Sequence, residues 1–116
     1  MRGRAALTDR RGPSAFLSPF FEMAPWVAIL DATPHARGIW LRNHARDRHA
    51  LCDMLITYRM SLLLCGWIDA ASARRLLTSG VSVAVGPCDR PLFDILPHVP
   101  RRPATDRFAT FQVLRV

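Results

Sequence analysis

Residues 60–96 constrain this chain more than any other stretch. Leu62, Leu63 and Leu64 form a continuous apolar run ending in Cys65-Gly66, an alanine-rich segment runs from Asp69 to Gly80, and Val81-Ser-Val-Ala-Val85 ends in Gly86-Pro87-Cys88-Asp89. The order reads as strand, loop, helix, strand, loop, helix. Parallel strands buried on both faces appear as unbroken apolar runs. A crossover helix makes the two strands parallel neighbours with right-handed connectivity. Cys65 and Cys88 then emerge at the same sheet edge, about 5 Å apart in strand spacing. That carboxyl edge is where open α/β sheets bind ligands.

The rest of the chain supplies the flanking elements. Residues 4–8 form a first strand, and Arg11-Gly12-Pro13 marks a turn. Residues 14–23 are a loop carrying Phe20 and Phe21, which with Trp67 either stand exposed at the ligand edge or close the open end of the core. Residues 26–30 and 38–41 are two strands spaced for an antiparallel hairpin, with His35 in its turn. Residues 48–59 are helical, with Leu51, Met54, Leu55 and Tyr58 on one apolar face. Asp69 is placed as an N-cap, with Ala70, Ala73, Leu76 and Leu77 toward the sheet and Gly80 as the left-handed stop. Asp89 is expected to cap a short third helix whose core contacts are Phe93 and Leu96. Residues 1–96 make one domain, and residues 97–116 a Pro/Arg linker and tail in which 108–116 is either a stray strand or disordered. The expected sheet is mixed, mainly parallel and five-stranded, in a three-layer α/β domain.

At 116 residues and 50% apolar composition the chain can bury a core without disulfides or a structural metal. Its formal charge is +7, and all sixteen basic residues are Arg. They are scattered, with no aromatic-interleaved basic stripe, so the reading is a solvated surface rather than a nucleic-acid footprint. Three cysteines without a secretory signal, and no apolar run of membrane-spanning length, imply a cytoplasmic protein with reduced thiols.

Several joints carry a resemblance. Arg4-Ala-Ala-Leu-Thr-Asp9 is similar to the opening strand of the dinitrogenase iron–molybdenum cofactor biosynthesis family, which includes NifX, the C-terminal domain of NifB and the cluster-binding domain of NafY. Ser18-Pro-Phe-Phe-Glu22-Met-Ala-Pro-Trp26-Val-Ala-Ile-Leu-Asp31 resembles its SPHFGRAPYFxIVD loop and strand. Cys65-Gly-Trp-Ile-Asp69 resembles its GGIG turn, and more closely the CGAIS turn of an uncharacterised branch. The resemblance implies a ribonuclease H-like fold. It also implies non-catalytic binding or carriage of an iron–sulfur or iron–molybdenum cluster precursor, as in nitrogen fixation, with cofactor-assembly proteins as partners. On those motifs Ser18, Phe20, Cys65 and Gly66 line the cofactor site, and the crossover geometry adds Cys88 beside them. Two departures stand out. The family's loop histidine is Phe20 here, and its double glycine has become Cys65-Gly66.

The side chains suggest the same chemistry. Thiolates suit iron–sulfur clusters, and a thiol just before a helix N-terminus is expected to have a lowered pKa. Cys65 and Cys88 could hold one edge of a cluster, with His49 as a candidate imidazole ligand. Set against this, no CxxC spacing is present, and both cysteines also suit small apolar fillers. Cys52 and the remaining histidines read as helix core and surface. Asp9 and Asp69 raise metal-dependent hydrolysis, but Asp69 is explained as a cap, and Glu22 is the only glutamate. The chain is therefore read as no enzyme. The alternatives are a metal-free interaction module on the same fold and a weak nucleic-acid binder.

Overall fold

β1 (Arg4–Thr8) is the pivot of the sheet, because it is paired on both sides. The computed structural model describes residues 3–30, 39–99 and 110–115. β2 (Trp26–Leu30) runs antiparallel to β1, and β3 (Ile39–Arg42) antiparallel to β2. On the other side, β4 (Leu62–Cys65) lies parallel to β1 and β5 (Ser82–Val85) parallel to β4. β6 (Gln112–Val113) closes the sheet antiparallel to β5, giving the order β3-β2-β1-β4-β5-β6. Among the described residues the sheet thus has six strands rather than five. Three of its five pairings are antiparallel, so it is mixed but not mainly parallel. The sixth strand is short and follows a polar stretch, so periodicity gives little sign of it. The hairpin turn with His35, and residues 100–109 of the Pro/Arg linker, lie outside the described residues.

Strand alternation divides the core in two. Ala5 and Leu7 of β1, Val27 of β2, Leu63 and Cys65 of β4 and Val83 of β5 face α1 (Arg48–Thr57) and α2 (Ala70–Thr78). The intervening residues form the other face: Ala28, Ala6, Leu64 and Ala84 lie in register across β2, β1, β4 and β5. Three alanines in that row leave room for a close cover of Leu17, Leu92, Ile95 and Phe111. The cover includes α3 (Leu92–Ile95) and a 3-10 turn at Leu96–His98. Full burial of one leucine stabilises by roughly 2 kcal/mol, so Leu63 and Leu64 each anchor a different core.

Both long helices start from an aspartate and stop in the same way. Asp47 accepts from the amides of His49 and Ala50, and Asp69 from that of Ser72. At the other end the amides of Met60 and Val81 bond back to Leu55 and Leu76, closing a Schellman turn. Gly80 takes the left-handed position of α2 at φ +89, while Arg59 takes it for α1 at φ +54. Because α1 ends there, Tyr58 is a cap residue 64% exposed, and Cys52 joins Leu51 and Leu55 in the core instead. In α2, Ala73 and Leu76 are buried, whereas Ala70 is exposed. α3 starts at Pro91 with no side-chain cap, so Asp89 does not act as one; its buried pair is Leu92 and Ile95, with Phe93 exposed.

Candidate functional site

β1, β3, β4 and β5 all run in one direction, so their carboxyl ends share a rim. Three loops meet there. Ser18, in the loop after β1, donates its amide to Leu7 O at 2.9 Å and accepts from the Gly66 amide at 3.2 Å. The Gly86 amide in turn donates to Cys65 O at 2.9 Å. Further out, the Leu92 amide donates to Ala15 O at 2.7 Å. The ends of β1, β4 and β5 are thereby stitched into one edge by backbone bonds.

Gly66 is the tightest point of that edge. A Cβ there would collide with Cys88 Sγ and would lie 2.5 Å from Ser18 O. The Cys88 sulfur therefore rests in a slot that only glycine leaves open. Ser18 is buried, and its Oγ accepts from the Phe20 amide at 3.1 Å. Phe20 and Trp67 stand beside the slot in sequence and are more than half exposed, at 59% and 52%. Of the two positions expected for these aromatics, Phe21 takes the other and is a core residue. The Thr8 hydroxyl, at the end of β1, is fully buried with no hydrogen-bond partner among the described residues.

The two rim cysteines share an edge but not a face. Cys65 belongs to the core under α1 and α2, whereas Cys88 packs against the core on the opposite side. Cys65 is fully buried, and its thiol reaches Ala84 O at a long 4.0 Å. Burial, with a smaller contribution from Cys88, pushes its thiol up to about 12. Cys88 is partly exposed, and its thiol is also raised, first by burial and then by the negative charges of Asp89 and Asp9. The expected lowering by helix N-termini is overturned. At Cys65 burial is the dominant cause, and α3, which follows Cys88, is a single four-residue turn.

Around this slot the other sequence-derived positions separate. Asp69 caps α2 and lies 3.9 Å from Arg48 of α1. Burial raises its carboxyl pKa, but hydrogen bonds from the Ser72 amide and hydroxyl outweigh that and leave it lowered. His49 lies in the first turn of α1, exposed, with its carbonyl accepting from Arg75 Nη1 at 3.3 Å. Ser18, Gly66 and Cys88 are thus brought into contact. Cys65 sits behind them, and His49 belongs to a neighbouring helix start. Among the described residues no group of three or more His, Cys, Asp or Glu gathers to hold a metal ion. What the sequence hides is a basic cluster on the β2–β3 part of the rim. There Arg11 and Arg42 both lie over the Trp26 ring, at 5.7 and 5.5 Å from its centroid. Its members are 31 positions apart or fewer: Arg42 meets Trp26 through cross-strand register and Arg11 reaches it from the turn after β1, neither of which shows in the spacing of scattered arginines.

No helix among the described residues is long and apolar enough to cross a membrane. No protein-family model and no curated protein matches the chain. Solved structures do match in fold. The apo form of the orange protein from Desulfovibrio gigas is similar at 16% identity and a TM-score of 0.72, over 84% of this chain and 86% of that one. An NMR structure of a putative NifB protein from Thermotoga, belonging to the DUF35 family, is similar at 17% identity and a TM-score of 0.65, over 82% and 83%. The chain therefore has the mixed α/β fold of these proteins across most of its length.

Proposed function

We propose that the rim binds and carries a metal–sulfur cluster, an iron–sulfur or iron–molybdenum precursor, without catalysing a reaction. The observation that carries this reading is the slot itself: a partly exposed thiol, Cys88, resting on Gly66 and Ser18 at the carboxyl edge of the sheet. The fold shared with the orange protein and with a putative NifB protein supports it, as does the sequence resemblance to the cofactor biosynthesis family. The ribonuclease H-like classification belongs to the same proposal, supported by the mixed sheet with helices on both faces.

Cys88 is the ligand offered to the cargo, and the remaining metal positions are filled by the cargo's own sulfides or by a partner in cofactor assembly. Phe20 and Trp67 shield the bound face. The α1 and α2 N-termini favour an anionic cargo, as metal–sulfide clusters are. Cys65 backs the slot and becomes a second ligand only if the corner opens; His49 is the nearest imidazole offered by α1. The protein acts in the cytoplasm as a carrier between assembly proteins.

Anaerobic reconstitution with iron, sulfide and molybdate, followed by visible absorption, tests the reading. The expected result is a coloured protein whose spectrum is lost or shifted in Cys88→Ala. A colourless protein, or a spectrum indifferent to Cys88→Ala and Cys65→Ala together, overturns it. The sealed state of Cys65 favours a second reading, a metal-free interaction module on the same fold. That reading expects a partner complex of equal strength with the double cysteine variant.

A further inference from the structure

The β2–β3 part of the rim carries chemistry of its own. Thr8 of β1, Trp26 of β2 and Arg42 of β3 sit side by side in register, so β1 and β3 end where β2 begins. Arg11, in the turn after β1, comes back over the same indole as Arg42. The platform is braced from below. The buried Asn43 side chain donates to Glu22 O and Ala24 O, both at 2.9 Å, and its backbone amide donates to Pro25 O. These bonds fix the turn that delivers Trp26 against the end of β3.

The charges differ from those nearby. Arg10 lies over Phe16 but is tied to Asp9 at 3.2 Å, and Arg48 lies near Asp69. Arg11 and Arg42 have no carboxylate within ion-pair distance among the described residues. Two exposed guanidinium groups therefore share one aromatic ring, each within cation–π range of its centroid and neither paired with a carboxylate among the described residues. Two like charges held at one ring raise the local positive potential, and a doubly charged anion bound beside them offsets it. Guanidinium groups suit such an anion because their donors match two oxygens at once.

We propose that Arg11 and Arg42, braced on Trp26, form an anion-binding site for a doubly charged tetrahedral oxyanion. Phosphate, sulfate and molybdate share that chemistry. The site stands two strands away from Gly66 and uses no thiol, so it does not depend on cluster binding.

The test uses the cluster-free full chain labelled with nitrogen-15. The Trp26 indole N–H and the Arg11 and Arg42 Nε–H signals are followed as phosphate, sulfate and molybdate are each added at constant ionic strength. The expected result is a saturable shift of all three signals, with Arg11→Gln and Arg42→Gln each weakening binding tenfold or more. Arg10→Gln, at the neutralised neighbour, is expected to change it less than twofold. The tightest of the three anions identifies the natural source. Shifts that rise linearly and equally with chloride overturn the proposal, as does unchanged affinity in Arg11→Gln and Arg42→Gln. An Arg10→Gln loss as large as theirs overturns the assignment to this pair. Because no iron or sulfide is present, failure here is distinct from failure of cluster reconstitution.

Discussion

The β4–α2 corner and the β5–α3 corner are written in nearly the same residues and behave differently. Each has a strand end, a glycine, a cysteine and an aspartate. At the first corner Cys65 closes the strand, Gly66 packs under Cys88, and Asp69 caps a nine-residue helix. At the second the cysteine falls three residues later than its strand end, Asp89 caps nothing, and the helix has four residues. One thiol is sealed inside the core and the other is left partly exposed. The lesson is one of phase. A cysteine within a strand follows the strand's alternation into the core, whereas one in the following loop is free to reach the rim.

The glycines should break the likeness most strongly. At Gly66 an added Cβ meets a thiol and a backbone carbonyl first, while at Gly86 the nearest atoms are side-chain ones, the Phe111 ring at 2.5 and 2.8 Å and Leu17 at 3.1 Å. Gly66→Ala is expected to cost about 3 kcal/mol and Gly86→Ala about 2 kcal/mol by urea denaturation, as for overpacked sites. Their rescue should differ. Phe111→Leu is expected to compensate much of Gly86→Ala, a strongly non-additive pair. Cys88→Ala should compensate Gly66→Ala only in part, since the Ser18 carbonyl stays 2.5 Å from the new methyl. Full rescue by Cys88→Ala would mean that the loop after β1 yields, and that the first corner is no more rigid than the second.

The aspartates come next. Asp69→Ala is expected to lose about 1 kcal/mol at neutral pH, the usual value of a helix cap. Asp89→Ala should stay within about 0.5 kcal/mol, as at ordinary surface sites. The pH dependence has a definite sign. The folded Asp69 carboxyl is lowered from 3.8, so its contribution is complete above that value and fades as pH falls through the lowered pKa. The gap between wild type and Asp69→Ala should therefore narrow only below about pH 4. A gap that is constant from pH 7 to pH 2 would assign the loss to packing rather than to the cap.

Much of this architecture is legible in the chain. The run of Leu62, Leu63 and Leu64, the helix stop at Gly80 and the cap at Asp69 all follow local rules and appear where those rules put them. The misread features depend on distance along the chain. β6 pairs with β5 only after a long excursion, and two residues of strand carry no readable period. Asp89 has the sequence look of a cap, but Pro91 starts the helix two residues later. At the candidate site, the meeting of Cys88 with Gly66 and Ser18 joins three loops, and the gathering of Arg11 and Arg42 on Trp26 needs strand register. The shared edge was readable from the crossover. The turning of Cys65 into the α1–α2 core rests on a single residue of strand phase, too fine for an apolar run to disclose.

The thiols themselves offer the smallest and most direct comparison. Thiolate, not thiol, attacks iodoacetamide, and both rim thiols are raised, so native labelling should be slow at pH 7.5 and quicken toward pH 10 at Cys88. Cys65, held up to about 12 and fully buried, should label only through opening of the corner, as should buried Cys52. Asp89 is one cause of the raised Cys88 value. Replacing it with Asn removes a charge that disfavours the thiolate, which lowers the pKa and should speed Cys88 labelling about twofold to fivefold, as for one solvent-screened charge nearby. Peptide-level mass spectrometry reads all three sites in one sample. Equal native rates at Cys65 and Cys88 would show that the sealed corner opens as readily as the exposed one. The two sulfurs would then be available to one cargo together, and the distinction between the corners would describe only their closed state.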